Sequence, residues 1–555
     1  MKILVVSLLR VGDFIMQEPL FRSLQSQFPE AELHILANDV TERYLLQSGR
    51  YQNIHIFRRA EIQRYLVEQE RPKYQAYTKL ESLVGQLNAI GFSRVYNFSP
   101  TRFSAQLMDL LIAPVKIGAR FENGKSVAAN NSWSQFLNEN FSQNMNSPFQ
   151  VIDILTRALD LPSVDEKEDG GKTNLGSESP LRIAMQVLTS DKKKNWLMVN
   201  YLQLARRLQQ VIPKLEISIL GAPDEESLLR QYFSAEKYLQ IKILNWRELV
   251  PELEKTQLLI TGDTSVQHLA AQLKTPVLSL FLGGANPQKT APRVGGALIM
   301  QSTAPCQPCA PTGNCSQPSQ ICAENLSVDQ VFKVVMAKLS GGSLTETSAK
   351  VFQVTKKENG FYFLKLQGKQ EGADVNNLQR SLEQLTWQIY LDQGHLETAG
   401  PFGSSSYIFI DEHSKEMRET RNQSWLAARL QDFYQHEAFL DLLEGDYRRQ
   451  VSPVILNRGL GARAFPNQNL RDQVTNHLFG KTNGQNYFFD LLSTLSSPES
   501  HFTQLKKVKD AIRETRALIT IEIKLIKSIL VELKERNFTY VSGTRTLSDV
   551  SLTAP

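Results

Sequence analysis

Apolar positions in the first third of the chain come in two periods. Lys2 to Ser7 is a short, β-rich apolar run, and Leu20, Phe21, Leu24 and Phe28 then recur at helical spacing. Leu33 to Leu36 is apolar again, and Arg94 to Phe98 (RVYNF) is a further strand candidate. Strands separated by helices predict parallel β-α-β units. A polar stretch from Pro162 to Pro180, carrying Gly170, Gly171 and Gly176, reads as an interdomain linker.

The pattern then restarts. Leu181 to Val187 is a strand candidate, Tyr201 to Leu208 is helical, and Leu215 to Leu220 is a strand closed by Gly221. Leu258 to Thr261 runs as a strand into a helix starting near Thr264, Pro276 to Phe281 is another strand, and Val328 to Leu339 is a helix ending at Gly341. Two successive α/β units predict a cleft between lobes, with ligands at the strands' C-terminal ends. After Ser343 the texture changes. Val351 to Val354 and Phe361 to Leu366, around KKENG, predict a hairpin, and helices are expected near Leu378–Leu391 and Trp425–Leu443. A long amphipathic helix is expected from His501 to Arg536, with Leu505, Val508, Ile512, Ile519, Ile526, Ile529 and Leu533 near one stripe. Its Lys and Arg residues fit a partner-facing or membrane-surface helix, and the stripe fits equally well against the tail's own helices. The expected layout is an N-terminal lobe over 1–162, a linker over 163–180, a second lobe over 181–342, and a mainly helical α+β extension over 345–555.

Composition narrows the class. At 555 residues the chain exceeds one hydrophobic core, and 41% apolar with 21% charged residues is ordinary globular composition. A net charge of +5 over this length is too small to argue for a nucleic-acid partner, and leaves loose contact with an anionic membrane face open. The N-terminus, MKILVVSLLRVGDFIM, is broken by Arg10 and Asp13 and lacks a long h-region, so it reads as a buried strand rather than a signal peptide. No window approaches about eighteen uninterrupted apolar residues, so no membrane span is expected. A cytoplasmic location follows, with peripheral contact at the inner face of the plasma membrane as an option. The four cysteines all lie between Cys306 and Cys322, a tight cluster that points to a metal site in a reducing compartment rather than to scattered disulfides.

Four constellations could carry chemistry. Arg10-Val11-Gly12-Asp13 follows the first strand, where Asp13 could take a proton from an acceptor hydroxyl or cap the next helix. Thr261-Gly262-Asp263-Thr264-Ser265-Val266-Gln267-His268 joins a strand to a helix start. Free backbone N–H groups there make an anion site suited to a diphosphate, with His268 one turn in as a further donor, although a capping box would look similar. Thr189 and Ser190 with Lys192, Lys193, Lys194 and Trp196 follow the second lobe's first strand. They suit phosphate or form a solvated basic turn. Gly221-Ala222-Pro223-Asp224-Glu225-Glu226 places a carboxylate where ribose hydroxyls are gripped in nucleotide folds, or where an acidic helix start meets its dipole.

Taken together, residues 1 to 340 resemble glycosyltransferase family nine, whose best-known members are the ADP-heptose lipopolysaccharide heptosyltransferases. The most specific stretch is LLITGDTSVQHLAAQLKTPVLSLF, followed by Gly283, Asn286-Pro287 and Pro292. The resemblance implies a GT-B fold of two Rossmann-like lobes facing a cleft, and an inverting transfer from a nucleotide-diphosphate heptose such as ADP-heptose. Asp13 is the implied catalytic base. Lys194, from the K-x-W element Lys194-Asn195-Trp196, is implied to hold the donor phosphates with Thr189 and Ser190, while Asp263, Thr264, Ser265 and His268 form the donor loop and Glu225 binds the ribose. Ser265 replaces a usual glycine, and Leu197 stands where proline often follows the tryptophan. A lysine plus a helix N-terminus can stabilise the leaving diphosphate without a divalent cation, and no D-x-D pair is placed for one. The acceptor is a lipopolysaccharide core sugar, or else a protein side chain. A non-hydrolysing nucleotide-sugar epimerase fits the Asp13 and DTSVQH pairing less well. A catalytically inactive scaffold is disfavoured by the joint retention of Asp13, Lys194, Glu225, Asp263 and His268.

Cys306-x-x-Cys309, Cys315 and Cys322 suit tetrahedral thiolate coordination amid Pro and Gly, with two disulfides or four free thiols as alternatives. In the same family comparable clusters occur in the second lobe, and some protein-directed heptosyltransferases are reported to hold iron there. A structural zinc or iron is therefore expected there, since four thiolates leave no open position for chemistry.

Overall fold

Buried on both faces, the strands of a parallel sheet need nearly continuous apolar runs, and the chain supplies two sets of them. The computed structural model describes residues 1–67, 73–122, 124–127, 131–140, 147–163, 180–309, 314–344, 347–357, 360–368, 373–393, 409, 413, 420–456 and 501–535. By its internal contacts the chain divides into one unit over Met1–Ala373 and another over Asp374–Pro555.

The first sheet contains β1 (Lys2–Ser7), β2 (Glu32–Asn38), β3 (Asn53–Phe57), β4 (Arg94–Asn97) and β5 (Val115–Ile117). All its pairings are parallel, in the order β3-β2-β1-β4-β5. A small antiparallel pair, β6 (Arg120–Glu122) and β7 (Lys125–Val127), follows it. The second sheet repeats the order with β8 (Leu181–Gln186), β9 (Leu215–Gly221), β10 (Leu239–Ile243), β11 (Leu258–Gly262), β12 (Val277–Phe281) and β13 (Leu298–Gln301), arranged β10-β9-β8-β11-β12-β13. In each sheet the winding direction reverses beside the first strand, between β1 and β4 and between β8 and β11. In open parallel sheets such a reversal is where ligands bind, outside the carboxyl ends of the strands. These are the two Rossmann-like lobes of a GT-B fold.

The hairpin predicted around KKENG is present, as β14 (Lys350–Lys356) and β15 (Tyr362–Leu366), but it does not open a separate extension. β14 pairs antiparallel with β13, so the second sheet has eight strands and the first unit runs on to Ala373 instead of ending near 345. Val351, Phe352, Val354 and Phe361 to Leu364 are buried in this addition. The expected linker over 163–180 lies outside the described residues except for Ser163 and Pro180.

Within the first unit the lobes touch at several places. The helix Val11–Met16 packs on the helix Ser265–Gln272, and Gln272 Nε2 donates to the Ile15 carbonyl. Tyr44 meets Trp246 edge to face at 5.3 Å, and Gln47 accepts the Trp246 N–H at 3.1 Å. Farther along, Arg293 Nη1 donates to Asp153 Oδ1 at 2.7 Å, and Asp153 Oδ2 accepts the Tyr362 N–H at 3.3 Å. Trp133 and Phe149 pack on Phe361 beside this pair.

In the second unit the described helices are Ala373–Gln393, Thr420–Leu456 and His501–Glu535. Ile512, Ile519, Ile526, Ile529 and Leu533 of the predicted stripe are buried, and their helix packs along Thr420–Leu456. The side chains of Leu505 and Val508 lie outside the described residues. The stripe is therefore satisfied within the unit. A buried Arg429–Glu522 pair, with Glu383 3.6 Å from Arg429, sits among the same helices. Among the described residues no helix is long and apolar enough to cross a membrane.

Candidate active site

The turn leaving β1 is held by side chains from its neighbours. The Leu8 N–H donates to Ser99 Oγ at 2.6 Å, while Asn38 Nδ2 and Thr41 Oγ1 both donate to the Leu9 carbonyl at 3.3 Å. Ser7 and the Phe98 carbonyl are further tied through Gln17. This bracing fixes the start of the helix Val11–Met16, whose first turn carries Asp13. Arg10, not Asp13, occupies the N-cap position and makes no side-chain cap bond. Asp13 reaches back to the Arg10 backbone instead and so keeps part of a capping role. Burial raises its pKa first, the Asp263 carboxylate raises it further, and Arg10 and Lys194 pull it down. A Cβ on Gly12 would stand 3.5 Å from Ser265 Cα, so the two helix starts lie in near contact across the lobes.

From the second lobe, Lys194 ends a short turn, Lys192–Lys194, after β8. Its Nζ donates to Asp263 Oδ2 at 2.6 Å, linking the ends of two adjacent strands at the switch point. Asp263 is aimed from its other side by Gln267, whose Nε2 donates to Oδ1 at 2.9 Å and to the Thr290 carbonyl at 2.9 Å. The Gln267 Oε1 accepts from Ser279 Oγ at 2.8 Å. This fully buried amide was not among the predicted site residues. Its i, i+4 spacing from Asp263 was the available signal.

His268 lies buried one turn inside Ser265–Gln272, where burial pushes its pKa down to about 4 despite the Asp263 carboxylate. The imidazole is therefore neutral near pH 7 and offers a single N–H. Thr264 is the N-cap residue without a side-chain cap bond, its Oγ1 lying 3.2 Å from Thr261 Oγ1, and Ser265 opens the helix facing Gly12. The Thr189 hydroxyl is engaged in its own turn, donating to the Asp191 carbonyl at 2.7 Å, and Asn195 Oδ1 accepts the Thr189 N–H at 2.8 Å. Ser190 is exposed. Trp196 of the K-x-W element is a core residue, its Nε1 donating to the Leu326 carbonyl at 2.8 Å. Glu225 stands apart at the end of β9, where it accepts the Ala222 N–H at 2.9 Å and bonds the Gln186 side chain. Burial raises its pKa. Asp13, Lys194, Asp263 and His268 are thus one electrostatic cluster, with Glu225 a strand away.

Cys306, Cys309, Cys315 and Cys322 are free thiols. The pKa of Cys309 is raised, mostly by burial and then by Cys322, Cys306 and Cys315, so the four lie within electrostatic reach of one another. Among the described residues no group of three His, Cys, Asp or Glu side chains is set closely enough around one point to hold a metal ion.

Residues 81–319 match the family model described as glycosyltransferase family 9 (heptosyltransferase). Over these residues the chain resembles glycosyltransferase family 9. The match spans Thr189 through His268 and three of the cysteines, while Asp13 and Cys322 lie outside it. The chain is thus a glycosyltransferase. No curated protein matches the sequence. Among solved structures, Escherichia coli heptosyltransferase WaaC with ADP-2-deoxy-2-fluoro heptose is 14% identical, with 60% of this chain and 99% of that one covered and a TM-score of 0.41. E. coli ADP-heptose lps heptosyltransferase II is 16% identical over 61% and 98%, with a TM-score of 0.42. A family 9 glycosyl transferase from Veillonella parvula is 14% identical over 61% and 97%, with a TM-score of 0.44.

Proposed function

We propose that this glycosyltransferase moves a heptose, with inversion, from a nucleotide-diphosphate donor, ADP-heptose, to a sugar of the lipopolysaccharide core. The observation that carries the reading is the meeting of Asp13 from one lobe with the Lys194–Asp263 pair from the other. The acceptor hydroxyl gives its proton to the Asp13 carboxylate as its oxygen bonds the anomeric carbon from the face opposite the leaving group. The bond from that carbon to the diphosphate oxygen breaks, and its electron pair leaves with the diphosphate. A raised pKa brings Asp13 closer to the working range of a general base. The charge growing on the diphosphate is met by Lys194 and by the N–H groups that open Ser265–Gln272. One ammonium proton on Asp263 leaves two for phosphate oxygens. Neutral His268 adds an N–H, and Glu225 grips the ribose. No step requires a divalent cation.

The four cysteines are read as holding a structural zinc or iron. Four neighbouring free thiols form the donor set that such ions take, although they are not drawn together around one point. Action in the cytoplasm, at the inner face of the membrane, goes with this reading.

The test is incubation with ADP-heptose and cell extract, followed by mass spectrometry of what gains the sugar. A heptose on lipopolysaccharide core supports the reading, a heptose on a protein replaces the acceptor, and no transfer to any molecule refutes it.

A further inference from the structure

Lys194 sits in a short turn whose shape decides where its ammonium stands. The turn carries bonds of its own: the Lys194 N–H donates to the Asp191 carbonyl at 2.8 Å, the Asn195 N–H to the Lys192 carbonyl at 3.2 Å, and the Asp191 side chain accepts the Lys193 N–H at 3.0 Å. The outer support comes from more than a hundred residues later in the chain. Gln320, within the cysteine loop, donates from Nε2 to the Lys193 carbonyl at 2.7 Å and to the Asn195 carbonyl at 3.0 Å. A primary amide carries two N–H groups, so each of the carbonyls flanking Lys194 receives one.

The other limb of the cysteine loop braces the same place. The Cys309 N–H donates to the Gly283 carbonyl at 3.1 Å, and Gln307 Nε2 donates to the Phe281 carbonyl at 2.9 Å. Gly283, at φ +57°, presses against the turn so closely that a Cβ there would lie 2.5 Å from the Lys193 carbonyl oxygen. The turn is thus held between the Cys306–Cys309 limb, through Gly283, and the Cys315–Cys322 limb, through Gln320.

We infer that Gln320 is a positioning residue for Lys194, and that through it donor binding depends on the state of the four-cysteine loop. The inference rests on the donor-site reading above. Whatever draws the cysteines together or pushes them apart displaces Gln320 from the two carbonyls, and the Lys193–Asn195 backbone moves with it.

Calorimetry with ADP on the full chain tests this. Gln320→Ala should weaken ADP about three- to tenfold, the worth of one or two hydrogen bonds, with the melting temperature kept. Gln320→Glu, of the same size, is the second variant, and should lose more because a carboxylate would face two carbonyl oxygens. In a Lys194→Ala background, Gln320→Ala should add no further loss, because its effect runs through that lysine. Alkylating the cysteines should weaken ADP in the wild type and much less in Gln320→Ala. Unchanged affinity in both Gln320 variants, an undiminished loss in the Lys194→Ala background, or equal losses on alkylation with and without Gln320 would each overturn the inference. A wild type that binds no ADP overturns the donor reading itself, and this inference with it.

Discussion

Lys194 Nζ and Asp263 Oδ2 stand 2.6 Å apart, joining the ends of β8 and β11 where the second sheet reverses its winding. The pair holds a cation in the crevice without leaving it free to swing, and the Gln267 amide fixes the carboxylate behind it. Lys194→Ala should weaken ADP by about 1.5–3 kcal/mol, the scale of a charge-assisted hydrogen bond. Glu225→Ala should weaken ADP and the ADP-sugar alike, since both carry the ribose. Calorimetry showing unaltered ADP binding in both variants would place the nucleotide elsewhere.

His268 should leave a mark on acid stability. Its folded pKa is depressed to about 4 from 6.5, so the unfolded chain takes up a proton that the folded one refuses. Its contribution is fully present above pH 6.5 and is lost as pH falls from there to about 4. Chemical denaturation across that range should show wild-type stability declining more steeply than that of His268→Gln. Parallel curves would mean that the imidazole is not buried neutral.

Asp153 and Arg293 form a buried pair between the lobes of the first unit, with Tyr362 of β15 bonded to the same carboxylate. Asp153→Ala removes the carboxylate that faces the Arg293 guanidinium, which keeps the neutral Gln150 Oε1 at 3.2 Å, and removes the acceptor of the Tyr362 N–H. The cost should be about 3–5 kcal/mol, typical of breaking a buried pair from one side. Urea unfolding of the full chain checks it, and a loss below about 1 kcal/mol would show that the pair is solvated.

The legible parts of the fold were those buried on both faces. Ile3 to Val6 and Leu258 to Thr261 read directly as strands because parallel pairing leaves them no polar face. β3 and β10, at the sheet edges, are half-buried and mix polar with apolar residues, so NIHIF and LQIKI did not stand out. The hairpin after Ser343 was legible from its turn, but its pairing with β13 spans some fifty residues and left no local trace. In the site, charged residues at strand ends could be found and Gln267 was marked only by its spacing from Asp263, whereas the amide of Gln320 left no signal. Its partners are backbone carbonyls more than a hundred residues away, and its residue type names none. Arg429 likewise pairs in the core with Glu522, ninety-three residues along the chain, a partner that no local pattern marks.

For the cysteines, protein purified without chelator should contain close to one zinc or iron per chain by elemental analysis. Single Cys→Ser changes at Cys306, Cys309, Cys315 or Cys322 should lower stability more than they alter chemistry, because a structural site couples metal to folding. Absence of metal together with four titratable thiols in folded, active protein would end the metal assignment.

The role of Asp13 as the base of a heptosyl transfer is read most sharply from ADP release from ADP-heptose by the wild type and Asp13→Asn across a pH series. The wild-type rate should fall as pH drops through the raised pKa of Asp13, since the base must be ionised to accept a proton. Asp13→Asn should be slower by about 10²–10⁴-fold with that dependence gone. It should melt no lower than the wild type at neutral pH, because ionised Asp13 costs stability above its raised pKa. A variant that releases ADP at near-normal rates with an unchanged pH profile would mean that Asp13 is not the base.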